Sequence, residues 1–311
     1  MGEVMSLTIV MYHYVRRIKE SQFPKIKGLE FEGFKRQLDY LEKHYNLIKA
    51  SQMIEYLRGG VRLPTNACLL SFDDGYKDHI KYVLPELMKR KIQGSFFPPV
   101  KSIVEREMLE VNSIQFILES CSNYEILIFQ LNRCCLENDI SQSQLDKFWR
   151  LYGVASRFDI KEVMYVKNML QHALPAETRS SIIKILFEKY VSTDSKAFSE
   201  DLYLSVDDTR KLVENDMYVG SHGYRHLWLN KESKESQKLE IDCSLNFLAD
   251  IGASTNNWIM CYPFGAYNNE TLEILRGRRC AVGLTTRVEV ADLDSDNALE
   301  LPRLDTNDFL Q

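Results

Sequence analysis

The sequence of 311 residues lacks several features that would place it in a special class. No apolar run approaches the roughly 20 residues that cross a bilayer, so we expect no transmembrane segment. The net charge is -5, and without a basic excess the chain offers no attraction to nucleic acid or to an anionic membrane. The first residues contain no basic stretch of the kind that opens a signal peptide, which predicts a cytoplasmic protein.

The cysteines also lack a pattern. There are seven of them, an odd number without regular spacing, and no two form a CxxC pair. An odd number of scattered cysteines favours reduced thiols over a disulfide framework. The absence of a CxxC pair argues against a zinc–thiolate site.

The chain has an ordinary soluble composition, 45% hydrophobic and 27% charged, in which strand and helix patterns alternate. This alternation predicts an α/β sheet with helices outside it, either open or closed into a barrel. The alternation stops between residues 102 and 204. Four stretches there have a helical pattern: 112–120, 144–151, 161–174 and 177–191. We expect this segment to be a helical insertion or cap, although additional helical layers of the main domain remain an alternative.

An apolar run over residues 67–72 ends in Asp73, Asp74 and Gly75. The run predicts a buried strand that brings two carboxylates to the rim of a sheet. Neighbouring side chains of a strand point to opposite faces, so the two acids can take different roles. A metal ion nearby would offset their repulsion. A helix N-cap would explain one aspartate, but it explains the second one and the glycine less well.

Two of the only six histidines, His222 and His226, stand four residues apart after a predicted strand. This spacing suits a divalent metal. His13 also follows an apolar strand, and so does the turn-rich loop 263–265. Parallel strands gather ligands at their carboxyl ends, so we expect these groups to form one site. Two histidines and one carboxylate leave coordination positions open, as in hydrolytic metal centres.

Three motifs resemble the first three motifs of the polysaccharide deacetylase family (NodB homology domain, carbohydrate esterase family 4). They are SFDDG at 71–75, SHGYRH at 221–226 and YPFG at 262–265. The resemblance implies an α/β fold, a distorted (β/α) barrel that removes acyl groups from N-acylated sugars. It covers roughly residues 7–100 and 204–304, so we expect the barrel to be formed by residues 1–101 and 205–311. The helical insertion or cap subdomain at 102–204 lies outside the resemblance.

The resemblance also implies the roles of the polar residues. Asp74, His222 and His226 would hold the metal, and Asp73 would be the general base. The ligand set suits zinc, with iron, cobalt or nickel as alternatives.

The third motif implies the groups that bind the oxyanion and the substrate. The backbone N–H of Phe264 is the expected oxyanion donor. The residues assigned to this function are Tyr262, Pro263, Phe264, Gly265 and Tyr267. Trp228 and Tyr14 are additional candidates for stacking on a sugar face. For each of them, ordinary packing inside the protein is an equally good explanation.

The sequence departs from the family pattern at two places. The third motif of the family usually begins with an arginine that tunes the base, but Cys261 stands in this region. Arg303 is the candidate replacement for that arginine. The alternative is that Arg303 is an ordinary surface residue. The family's late histidine, its general acid, is missing because no histidine follows His226. The start of the chain resembles a rearranged branch of the family, the poly-N-acetylglucosamine deacetylases, so the acid role falls to His13. A core histidine bonded to a backbone carbonyl is the alternative for His13.

We therefore predict a metal-dependent hydrolase that removes an N-acetyl group from an amino sugar in glycan or cell-surface polysaccharide biosynthesis. Its substrate would be an N-acetylated sugar, either nucleotide- or lipid-linked or part of an oligosaccharide. One alternative is a deformylase or amidase that acts on a related non-polymer amide. Another is a carbohydrate-binding relative with weak catalysis.

Overall fold

The computed structural model describes residues 5–156 and 159–308 of the chain. Residues 1–4, on which the argument about a signal peptide partly rests, lie outside the described residues. The chain divides into two compact units. The first contains the described residues up to Ile18, Lys27–Arg106 and the described residues from Glu200 onward, and the second contains Lys19–Ile26 and the described part of Glu107–Ser199.

All strands of the described residues belong to the first unit. In chain order they are β1 Ser6–Tyr12, β2 Val15–Arg16, β3 Leu29–Glu30, β4 Asn46–Leu47, β5 Ala67–Asp73, β6 Gly94–Phe97, β7 Tyr218–Val219, β8 Ile259–Cys261, β9 Val282–Leu284, β10 Ala291–Asp292 and β11 Leu304–Asp305. Strand β5 is buried along its whole length, which explains its continuous apolar sequence.

The principal strands form a parallel circuit. Strand β5 pairs with β1 on one side and with β6 on the other, and β6 pairs with β7. A single bridge between Ser221 and Met260 then leads to β8, which pairs with β9. A second bridge, between Leu284 and Leu301, leads towards β11, which pairs with β1. Short strands and single bridges close the circuit, so the barrel is distorted.

Helices alternate with these strands in the first unit and dominate the second. They are α1 Phe31–His44, α2 Ala50–Leu57, α3 Leu84–Arg90, α4 Val100–Val104, α5 Glu110–Ser120, α6 Tyr124–Leu136, α7 Gln142–Tyr152, α8 Lys161–Asn168, α9 Ala176–Tyr190, α10 Ser195–Leu202, α11 Val206–Glu214, α12 Lys234–Asp250 and α13 Asn269–Gly277. Among the described residues, none of these helices is long and apolar enough to cross a membrane.

The turn before α3 is wider than an α-helix. Residues His79–Val83 form a π-helical turn, in which the backbone N–H of Leu84 donates to the carbonyl of His79. Pro85 follows directly and has no N–H to continue an α-helical ladder. The turn buries His79 completely against the barrel.

The second unit consists of helices and one segment that the sequence pattern did not connect with them. Phe23, in the loop 19–26, packs edge-on against Phe116 and Phe198 at ring distances of 4.8 and 5.7 Å. Glu110 and Arg179 join α5 and α9 through an ion pair of 2.9 Å. The unit therefore differs from the predicted insertion, 102–204, by including this loop; the domain boundaries themselves remain a prediction.

Candidate active site

Strand β5 ends in Asp73, whose carboxylate is buried and held on two sides. Arg303 donates from both terminal nitrogens, to Oδ1 at 3.0 Å and to Oδ2 at 2.9 Å. The thiol of Cys261 donates to Oδ2 at 3.3 Å. Burial alone would raise the pKa of Asp73, but the charge of Arg303 outweighs it and lowers the pKa below its usual value. The carboxylate is therefore ionised.

Arg303 itself is almost fully buried, with 1% of its surface exposed. Its Nε donates to the carbonyl of Thr285 at 2.8 Å, which fixes the plane of the guanidinium. The alternative of a surface arginine is therefore wrong. The contact of Cys261 with Asp73 was not predicted, because sequence reasoning treated this cysteine only as a missing arginine.

Asp74 lies just beyond the strand and has a left-handed backbone, with φ of +67°. Gly75 continues this turn with φ of +64°, and a Cβ on it would come within 2.7 Å of the side chain of Pro98. Only glycine both adopts this positive φ readily and lacks the Cβ that would collide with Pro98. The turn separates the two carboxylates, so that Asp73 and Asp74 face different partners.

Asp74, His222 and His226 form a buried cluster whose ligand atoms all lie within 4.8 Å of one another. Both Nε2 atoms lie 3.3 Å from Asp74 Oδ1. His222 Nδ1 is 2.7 Å from the carbonyl of Cys261, which can only accept, so Nδ1 carries the proton and Nε2 faces the cluster. Burial would raise the pKa of Asp74, but its hydrogen bonds with the two histidines hold it well below the usual range.

Tyr76 contacts the candidate site, and the sequence reasoning missed this contact. Its hydroxyl donates to Asp74 Oδ2 at 2.6 Å, while Oδ1 faces the two histidines. The side chain is fully buried, and Tyr14 stacks on its ring at 3.9 Å. Burial raises the pKa of Tyr76 well above its usual value, so the hydroxyl stays a donor. The only signal in the sequence was its position two residues after Asp74.

The loop Pro263–Gly265 lies beside the second histidine. The ring of Phe264 contacts His226 edge-on at 4.6 Å and stacks on Trp228 at 4.3 Å. His226 and Phe264 both have positive φ, 60° and 58°. Non-glycine residues in this region cost of order 1 kcal/mol each and are concentrated at functional sites.

The aromatic residues predicted to contact substrate differ in their exposure. Tyr262 is fully buried and its hydroxyl donates to the carbonyl of Leu299 at 2.8 Å, so only its backbone is available. Tyr14 is also buried, against Tyr76, and the idea that it stacks on a sugar is wrong. Trp228 and Tyr267 remain partly exposed.

His13 follows β1 and lies near the predicted base. Its Nε2 is 4.0 Å from Asp73 Oδ2, and 40% of its side chain is exposed. Its backbone carbonyl, and not its ring, accepts a hydrogen bond from His79 at 3.0 Å. The side chain is therefore accessible to a substrate that approaches Asp73, and the alternative of a buried core histidine does not fit.

Comparison with known proteins covers only part of this site. The family model described as Polysaccharide deacetylase matches residues 152–279. The matched residues contain His222, His226 and the loop 263–265, but they exclude Asp73 and Asp74. They also begin inside the predicted insertion. A search of curated proteins found no match.

Several solved structures share the fold at low sequence identity. The Streptococcus pyogenes deacetylase PplD in complex with acetate has 15% identity and a TM-score of 0.59, covering 97% of this chain and 93% of PplD. IcaB from Ammonifex degensii has 18% identity and a TM-score of 0.59, with 96% and 91% covered. A de-N-acetylase from Aggregatibacter actinomycetemcomitans has 14% identity and a TM-score of 0.57, with 96% and 94% covered.

The comparisons bear on the predicted fold and, over part of the chain, on the predicted family. The distorted (β/α) barrel is confirmed by the likeness to these solved structures, which extends over almost the whole chain. The resemblance to the polysaccharide deacetylase family is supported over residues 152–279, the part of the chain that the family model matches.

Proposed function

We propose that the protein is a metal-dependent hydrolase that removes the N-acetyl group from an amino-sugar residue during glycan or cell-surface polysaccharide synthesis. The observation that carries this proposal is the division of two adjacent carboxylates. Asp74 faces two imidazoles, whereas Asp73 is paired with Arg303. One acid is thus arranged as a ligand. The other is held by an arginine, although it also lies near His222 in a second group with Cys261.

The chemistry of the donor set fits a divalent ion. Asp74, His222 and His226 would hold it, because Asp74 Oδ1 and both Nε2 atoms converge in a buried position. The bonds of His222 Nδ1 to a carbonyl and of Tyr76 to Asp74 Oδ2 are the outer contacts that orient metal ligands. Zinc is the ion we propose, since two imidazoles and one carboxylate are a common catalytic zinc set. A bound divalent ion supplies a Lewis acid and makes water more acidic.

Asp73 is the proposed general base. It is ionised and fixed by Arg303, so it can accept the proton of the attacking water without reorganisation. Its Oδ2 also faces His13. The proposed base and the proposed acid would therefore lie next to each other.

His13 is the proposed general acid, which would protonate the leaving amine. Amines leave poorly unless they are protonated, so the reaction requires such a donor. The exposed imidazole of His13 is able to reach a bound substrate. The backbone N–H of Phe264, in its left-handed turn beside His226, is the proposed donor to the oxyanion. The cytoplasmic location remains a prediction from the sequence.

The test is acetate release by purified protein. Protein stripped with a chelator and then reloaded with zinc should release acetate from β-linked N-acetylglucosamine oligomers, and the stripped protein should not. N-formyl analogues, assayed in parallel, test the deformylase alternative. Equal rates before and after stripping would refute the metal dependence, and rapid hydrolysis of formyl but not acetyl groups would refute the acyl assignment.

A further inference from the structure

Helix α12 carries two buried polar residues, one turn apart, that the mechanism above does not use. Glu240 is 1% exposed and Ser244 is fully buried, whereas Ile241, Phe247 and Leu248 of the same helix pack in the hydrophobic core. A carboxylate is rarely buried without partners, because the loss of its hydration is costly unless hydrogen bonds or an opposite charge offset it. The partners of Glu240 therefore indicate why an acid stands at this position.

Both carboxylate oxygens of Glu240 accept hydrogen bonds from the loop that carries the two histidines, residues 221–226, which we call the histidine loop. Oε2 accepts from the backbone N–H of Tyr224 at 3.1 Å and from that of Arg225 at 2.7 Å. Oε1 accepts from the guanidinium Nε of Arg225 at 2.6 Å. Because two of these donors belong to the backbone of consecutive residues, Glu240 fixes the course of the chain and not only a side chain.

The histidine loop needs such support, because its backbone is irregular. Gly223 and His226 have φ of +73° and +60°. A non-glycine residue keeps this left-handed conformation only where surrounding contacts hold it. Ser244 gives a second contact from α12, since its Oγ lies 2.7 Å from that of Ser221, which accepts from the backbone N–H of Gly223 at 3.1 Å. Helix α12 thus holds the loop at two points.

The segment that Glu240 holds lies between two of the proposed metal ligands. The two residues whose N–H groups donate to Glu240 stand directly before His226 and shortly after His222. The Nε2 atoms of both histidines lie 3.3 Å from Asp74 Oδ1. Ligands that are fixed before an ion arrives lose less conformational freedom when it binds, so the affinity is higher. Release of the loop from Glu240 would therefore weaken metal binding.

We propose that Glu240 is a positioning residue for the proposed metal centre, and that it holds the histidine loop in its ligand-bearing conformation before an ion binds. The proposal rests on the proposed function and deepens it, because it assigns control of metal affinity to a residue outside the ligand set. It also gives this carboxylate a role different from those of Asp73 and Asp74, which lie at the reaction centre itself.

The test is the zinc Kd of metal-free protein, measured by competition with a chromogenic chelator. Glu240→Leu keeps much of the side-chain volume but removes both acceptors, and it should raise the Kd by about 10–100-fold, the usual effect of losing an outer contact of a metal ligand. Glu240→Gln keeps one oxygen for the backbone N–H groups. Hydrogen bonds to a charged acceptor are roughly twice as strong as neutral ones, so this variant should raise the Kd by about 3–10-fold.

The matched control is Glu86→Gln. Glu86 is also buried, with 8% exposed, and its Oε1 accepts from the Nε of Arg90 at 2.7 Å, as that of Glu240 accepts from the Nε of Arg225. Both Glu86 and Arg90 belong to α3 and not to the histidine loop. This variant should therefore bind zinc with the wild-type Kd. Urea unfolding of the metal-free variants shows which of them are folded, and if Glu240→Leu is not, Glu240→Gln decides alone.

Two results would overturn the positioning role. One is a wild-type Kd in folded Glu240→Gln, and the other is an equal rise of the Kd in Glu86→Gln, which would indicate a general loss of stability. A wild-type protein that binds no zinc would instead contradict the proposed function. Amide hydrogen exchange of the metal-free proteins then decides on the inference separately. The histidine loop should exchange faster in Glu240→Gln than in the wild type and in Glu86→Gln, and equal exchange in all three would refute the inference.

Discussion

The hydroxyl of Tyr76 provides the sharpest structural prediction about metal binding. The substitution Tyr76→Phe removes only the group that donates to Asp74 Oδ2 at 2.6 Å. The aromatic ring stays, and with it the stacking on Tyr14 at 3.9 Å. Because Tyr76 is fully buried, water is not able to take the place of the lost hydroxyl. The oxygen Oδ2 would then lose a donor, and the carboxylate would be less well fixed for its role as a ligand.

The size of the effect follows from the kind of bond. A hydrogen bond to a charged group contributes about 1.5–3 kcal/mol, and each 1.4 kcal/mol corresponds to a factor of about ten in affinity. Loss of an outer contact of this kind typically weakens metal binding by about 10–100-fold. We therefore expect the zinc Kd of Tyr76→Phe to rise by about 10–100-fold.

The assay is a competition titration of metal-free protein with zinc and a chromogenic chelator. Urea unfolding of the metal-free proteins shows whether Tyr76→Phe remains folded. The matched control is Tyr12→Phe, because Tyr12 is also fully buried but its hydroxyl has no hydrogen-bond partner among the described residues. This control should bind zinc as the wild type does. A folded Tyr76→Phe protein with the wild-type Kd would refute the orienting role of the hydroxyl.

Two more predictions concern buried charges. Arg303→Met should lower the free energy of unfolding by about 3–5 kcal/mol, because it leaves the carboxylate of Asp73 buried without its partner. Urea unfolding measures this loss, and a change below about 1 kcal/mol, the range of exposed ion pairs, would contradict it. Burial lowers the pKa of His79 to about 4, and this histidine must stay neutral to remain buried. The unfolded chain binds a proton at this histidine from about pH 6.5 downward, so stability contributed by the neutral ring falls as the pH drops from 6.5 towards 4. The wild type should lose about 2 kcal/mol more than His79→Gln between pH 7.5 and pH 5 in urea unfolding, and parallel pH profiles would refute this assignment.

The sequence predicted the parts of the site that depend on residues close together in the chain. Asp73 and Asp74 stand out because a buried strand ends in them, and His222 and His226 because of their spacing after another strand. These features are short-range, and a parallel barrel brings the carboxyl ends of its strands together. The convergence of Asp74 with both histidines could therefore be expected before their distances were known.

Contacts over long sequence distances could not be predicted in the same way. Arg303 lies 230 residues from Asp73, and the two meet because the last strand, β11, closes the barrel against β1. From the sequence alone, Arg303 was equally consistent with a surface position. The role of Phe23 was missed for the same reason, since its partners Phe116 and Phe198 are far along the chain.

Tyr76 was missed although it lies close to the motif. Its contact with Asp74 depends on two successive left-handed residues, Asp74 and Gly75, which reverse the chain. A glycine after two acids indicates a turn. Which side chain the turn brings back to the carboxylate depends on the exact backbone geometry, and the sequence does not give that geometry. The partner of His13 depends in the same way on the distance between β1 and β5, where Asp73 Oδ2 comes within 4.0 Å.

The most direct test of the account is the zinc content of the Asp73→Asn protein, measured on the same sample as its acetate release. The account predicts zinc content equal to that of the wild type and turnover reduced by about 10²–10⁴-fold, as expected for the loss of a general base. His226→Ala, measured alongside, should lose the zinc. Acetate release by Asp73→Asn at the wild-type rate, or loss of zinc equal to that in His226→Ala, would contradict the separate roles of the two carboxylates.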